Sequence, residues 1–133
     1  MKKVLIALVF AAGIQPAFAQ EKTAEVMPPS FEGCEQVATP KEGQDCFYRH
    51  LMTAIMTELS WPEDLKEEGK VFVEIKYNER AELAQIEVKR TFSESASKEV
   101  ERTLRAIELP KSPAYQGDKP VSMSYVLPVM FKK

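Results

Sequence analysis

The stretch Lys119–Lys133 reads KPVSMSYVLPVMFKK, with Val121, Met123, Tyr125 and Leu127 alternating against Ser122, Ser124 and Val126. A period of two sends successive side chains to opposite faces, which marks a half-buried strand. Roughly a dozen residues at about 3.3 Å each would span about 40 Å, long for a small domain. Pro120 and Pro128 carry no N–H, so one side of this strand is expected to stay unpaired, at a sheet edge. A long edge strand can recruit another chain by strand addition. The residues expected to read such a partner are Val121, Met123, Tyr125 and Leu127, with Tyr125 as the large amphipathic anchor.

Upstream of this strand the pattern changes twice. Ser93 or Ser95 can cap a helix carrying Ala96, Val100, Leu104 and Ile107 on one stripe, with Lys98, Glu99, Arg102 and Arg105 on the solvated side. Glu101 and Arg105 are spaced for an i,i+4 pair. Pro110 and Pro113 end that helix. Before it, Val71, Val73, Ile75 and Tyr77 alternate with Phe72, Glu74 and Lys76, and Ala84, Ile86 and Val88 alternate with Gln85, Glu87 and Lys89. The short polar turn Asn78–Glu82 between them predicts an antiparallel hairpin.

Further upstream, Asp45 is the expected cap of a helix to about Leu59, with Tyr48, Leu51, Met52, Ile55 and Leu59 as its apolar face. Pro62-Glu63-Asp64 reads as the start of a short second helix, ended by Gly69. Gln20–Ser30 has no apolar period and closes on Pro28-Pro29, so residues 20–33 are expected to be an extended leader and residues 34–133 the domain. Met1–Ala19 has a positive start (Lys2, Lys3), an apolar run from Val4 to Ile14 and an Ala-Phe-Ala end. This predicts a cleavable secretory signal peptide, since the apolar run is shorter than the roughly 20 residues a membrane helix needs. No membrane anchor is expected after cleavage, and the protein is expected to be periplasmic.

Cys34 and Cys46 are the only cysteines. In an exported chain an even count predicts a disulfide, which would contribute about 3 kcal/mol by constraining the unfolded chain. Two thiols and one distant histidine are too few ligands for zinc, so no metal and no cofactor is expected. His50, the sole histidine, has no Ser or Cys nucleophile in a recognisable motif beside it and reads as a surface residue. Ser95-Ala-Ser-Lys98 has the serine–lysine spacing of penicillin-recognising enzymes, but the companion motifs are absent and a capping serine explains it. Acids and bases are interspersed at a formal net charge of −2, which leaves no nucleic-acid footprint. No catalytic residues emerge, and the chain is not expected to be an enzyme.

The order of these pieces resembles the C-terminal domain of TonB-type energy transducers, in the form common in Bacteroidetes. The resemblance runs from about Cys46 to Phe131, through Trp61-Pro62-Glu63, Gly69-Lys70-Val71-Phe72-Val73, Ile86-Glu87-Val88, Leu109-Pro110-Lys111 and Lys119-Pro120-Val121 to Phe131. It implies an α+β two-layer sandwich, a three-stranded antiparallel sheet covered on one face by two helices. It also implies binding to an extended segment of an outer-membrane receptor by strand addition, in TonB-dependent transport. The alternative is a self-associating structural protein, a homodimer through the C-terminal strand. A cleavable signal and a short leader stand where a transducer has an uncleaved membrane helix and a long proline-rich spacer, which points to a stand-alone version. Ala81 stands where a turn glycine is common in the family, and Ser112 where a tryptophan often is.

Overall fold

A computed structural model of the chain describes residues 25–133, so the expected signal peptide at residues 1–19 lies outside the described residues. The elements are β1 (Val26–Met27), α1 (Pro40–Glu58), β2 (Gly69–Tyr77), β3 (Leu83–Arg90), α2 (Glu94–Ala106), β4 (Ala114–Gln116), β5 (Lys119–Val121) and β6 (Met123–Phe131). They form two antiparallel three-stranded sheets, ordered β3-β2-β6 and β1-β4-β5. The larger sheet carries both helices on one face, which is the expected α+β two-layer arrangement.

Alternation builds the core as the sequence implied. Val71, Val73, Ile75 and Tyr77 of β2 and Leu127, Val129 and Phe131 of β6 are buried on the helical face. Phe47, Leu51 and Ile55 of α1 and Ala96, Val100 and Leu104 of α2 close the core from above. Burying each of the larger of these side chains contributes about 1.5–3 kcal/mol. Desolvation in this layer pushes the Tyr77 hydroxyl up to about 12.

Several local expectations differ from the structure. The C-terminal run is two strands, broken at Ser122, because Lys119–Val121 turns aside to pair with β4 while Met123–Phe131 pairs with β2. Helix α1 starts ahead of Asp45. Thr39 is its cap, accepting from the Glu42 N–H at 3.1 Å while the Glu42 carboxylate accepts from the Ala38 N–H at 2.9 Å. Pro40 sits in the first turn, where its missing N–H costs nothing. Phe47 therefore enters the core and Tyr48 is left 40% exposed.

The segment Pro62–Glu68 makes a turn, not a helix. The Leu65 N–H bonds the Pro62 carbonyl and the Trp61 indole N–H bonds the Leu65 carbonyl, fixing Trp61 edge-on to Phe131. Gly69 opens β2 because a Cβ there would come within 2.7 Å of the Phe92 ring. In β3, the register passes from Lys76↔Gln85 to Tyr77↔Leu83, so Ala84 falls in a bulge and Leu83 takes the inward place expected for it. On α2, Arg102 rather than Arg105 forms the ion pairs, reaching Glu99 at 2.7 Å and Glu58 of α1 at 3.2 Å. Glu99, expected on the solvated side, is 13% exposed. It accepts from Arg102, the Ser60 N–H and the Thr103 hydroxyl, and the Arg102 guanidinium first of all holds its carboxyl below the usual range.

The leader is also part of the fold. Phe31 is fully buried, stacked on Phe47 and His50, and β1 pairs with β4 in the smaller sheet. Cys34 and Cys46 are joined in a disulfide with 5.9 Å between their Cα atoms, tying this segment to α1. Pro28 packs so closely on α1 that a Cβ at Gly43 would come within 3.2 Å of it.

Candidate functional site

The larger sheet ends in two edges, β3 on one side and β6 on the other. β6 pairs with β2 over nine residues without a register shift, from Tyr77↔Met123 to Gly69↔Phe131. Within an antiparallel pair, residues alternate between those that exchange hydrogen bonds with the neighbour and those whose N–H and C=O point away. Pro128 has no N–H to give, so the β2–β6 ladder is complete only where the odd-numbered residues face β2. Lys133 extends that phase, its N–H reaching the Glu68 carboxylate just before β2 at 2.8 Å. The even-numbered residues Ser124, Val126, Pro128 and Met130 then turn their backbone outward.

The predicted partner-reading side chains belong to the other set. Leu127 is fully buried in the core. Tyr125 is half-buried, its ring 4.8 Å from that of Phe47. Its hydroxyl is buried without a hydrogen bond, with the Gln44 side chain beside it, and desolvation raises its pKa. Met123 is half-buried at the start of β6, and Val121 lies in β5 of the smaller sheet. The four are not one surface. The large apolar side chains exposed along the free edge are Val126, at 55%, and Met130, at 39%, with Ser124 exposed beside them. Sequence reasoning missed them, although the odd-numbered set, continued through Val129 and Phe131, is the more apolar and so the better core candidate.

Beside the end of β6, α1 adds an apolar wall. Met56, Leu59, Trp61, Met130 and Phe131 line a groove of about 220 Å³, and Met56 is 47% exposed. Lys132 closes it, and the Lys133 ammonium lies 5.3 Å from the Trp61 ring centre. An extended segment paired to β6 would run along this groove.

The other residues singled out by the sequence do not assemble into a reaction centre. His50 is one-third exposed, stacked on Phe31, with Nε2 3.5 Å from a Glu108 carboxylate oxygen. Ser95 shares a hydrogen bond with the cap Ser93, while Lys98 turns to Glu94 in solvent. Among the described residues no group of His, Cys, Asp and Glu is placed to hold a metal ion. Nor is any described helix long and apolar enough to cross a membrane. A second cleft, of about 370 Å³, lies between the leader and the β4–β5 turn, lined by Pro28, Pro29, Val37, Pro113 and Tyr115 among others. No family model, no curated protein and no solved structure matches the chain.

Proposed function

We propose that this chain is a periplasmic protein-binding module that pairs the free edge of β6 with an extended segment of an outer-membrane receptor, in TonB-dependent transport. The observation that carries this reading is the β6 edge itself: nine residues, straight in register and without a charged side chain, on a strand held from behind by the core. Strand addition draws its affinity from main-chain hydrogen bonds and its specificity from pockets beside them. The outward N–H groups of Ser124, Val126 and Met130 supply the first, interrupted at Pro128. The Met56–Leu59–Trp61 groove supplies the second. The resemblance of the sequence to the C-terminal domain of TonB-type transducers supplies the partner class, and the two-layer fold agrees with it.

The test is a titration of the oxidised protein with a panel of extended receptor-derived peptides, followed by amide NMR. Saturating shifts concentrated on Met123–Phe131 are expected. Shifts confined to β3, or none in a protein that sediments as a monomer, would refute the reading. Broad lines that sharpen on dilution would instead assign the edge to a second copy of the chain.

A further inference from the structure

The face of the larger sheet turned away from the helices carries more cations than carboxylates. By register, Arg90, Phe72 and Pro128 lie side by side, then Glu87, Glu74 and Val126, then Gln85, Lys76 and Ser124, with Lys70 beside Met130 at one end. On a chain of formal net charge −2, this face carries Lys70, Lys76, Lys89 and Arg90 against Glu74 and Glu87. Lys89 answers both acids, reaching Glu74 at 3.1 Å and Glu87 at 3.5 Å. Among the described residues, Lys70, Lys76 and Arg90 have no carboxylate within ion-pair distance. Arg90 lies over the Phe72 ring instead, 5.7 Å from its centre.

The bulge in β3 helps to build this pattern. The register steps from Phe72↔Arg90 to Val73↔Val88, leaving Lys89 unmatched, and Phe72, Lys89 and Arg90 line one shallow depression of about 270 Å³. Between the cations stand Val126 and Met130, both well exposed, with Phe72 and Pro128 half-buried beside them.

We propose that this face docks on a bilayer surface carrying anionic headgroups. A protein partner gains most of its affinity by seating anchor side chains in well-packed pockets. Here the face offers a shallow depression, lined by Phe72, Lys89 and Arg90, on an open sheet. A bilayer needs no pocket: lysines and arginine meet the plane of phosphates while Val126 and Met130 reach the acyl boundary. Each cation near an anionic surface contributes about fivefold in binding. Three without carboxylate partners suit a weak, reversible, salt-sensitive association. This would hold β6 at a membrane through its Val126 and Met130 side chains while its outward N–H groups stay open.

The test uses the protein from Gln20 onward, which retains every described element of the fold. It is sedimented with vesicles of phosphatidylcholine alone and of phosphatidylcholine and phosphatidylglycerol in equal parts, at low and high salt. Binding is expected only to the mixed vesicles, and only at low salt. Replacing Lys70→Glu and Arg90→Glu together is expected to lower it at least about 20-fold at unchanged melting temperature. Lys98→Glu, on the opposite layer, is expected to change it less than about twofold. Equal binding to both vesicles, an equal loss in Lys98→Glu, or binding to polyglutamate but not to vesicles would each overturn the proposal.

Discussion

The two edges of the larger sheet are built in opposite ways. Strand β3 has no fully buried side chain, its register slips at both ends, and its outer half carries Glu87, Lys89 and Arg90. Charges and bulges are the usual means by which an edge is kept from pairing with another chain. Strand β6 buries Leu127, Val129 and Phe131, keeps perfect register and presents Ser124, Val126, Pro128 and Met130. Its one defence is Pro128, which removes a donor mid-strand. The weakly anchored edge is thus the protected one, and the firmly anchored edge is open. A docking strand needs that combination, because a strand that moved on binding would lose affinity to the cost of ordering it.

The largest expected difference between the two strands lies in the core. Phe131→Ala is expected to cost about 3–5 kcal/mol and Leu127→Ala about 2–5, against about 1–2 for the half-buried Ile86→Ala on β3. Denaturant unfolding would measure all three, and equal losses on the two strands would end the claim that β6 is the better held. The disulfide comes next. Replacing Cys34 and Cys46 together by Ser is expected to cost about 2–4 kcal/mol, with β1 and β4 losing exchange protection ahead of β6.

The helices sharpen the same contrast. Over the β6 side, α1 packs through Phe47, Leu51 and Ile55; α2, over the β3 side, is tied to α1 through Glu99 and Arg102. Because the Glu99 carboxyl is held below its unfolded value, its contribution is complete above the ordinary carboxylate range and is lost as pH falls through the folded value. Glu99→Gln is expected to cost about 1–3 kcal/mol at neutral pH and to flatten the acid limb of a melting-temperature profile. An unchanged acid limb would remove Glu99 from the account.

The smaller effects lie at the turn and on the edge. Ala81 holds the β2–β3 turn at φ 62°, a left-handed conformation that strains any residue with a Cβ. Ala81→Gly is expected to stabilise by about 0.5–1 kcal/mol, readable as a higher melting temperature. Val126→Lys should change stability by less than about 0.5 kcal/mol, since the side chain is already exposed, yet abolish peptide pairing at β6. Retained pairing would mean that the partner docks elsewhere.

Much of this was legible in the sequence, for a physical reason. Period two survives any tertiary context, so β2, β3 and β6 stand out, and Pro128 marks β6 as an edge. Three features do not stand out, and two of them depend on distant partners. Pro40 and Gly43 look like turn residues, but Pro40 opens α1 and Gly43 makes room for Pro28. Ser122 breaks a run whose alternation is unbroken, because β5 answers to β4 and, through it, to the leader. Period two also separates two sets of side chains without naming their faces, so the pattern alone does not keep Tyr125 and Leu127 out of the partner-reading set.

On the proposed function, the outer edge of β6 is free and an extended partner adds there. Residue-resolved amide exchange, with and without peptide, tests it directly. In the free monomer Tyr125, Leu127 and Val129 should be protected while Ser124, Val126 and Met130 exchange as open amides, and peptide should slow those three alone. Protection of Ser124, Val126 and Met130 before any peptide is added, or peptide-induced protection on β3 instead, would contradict it.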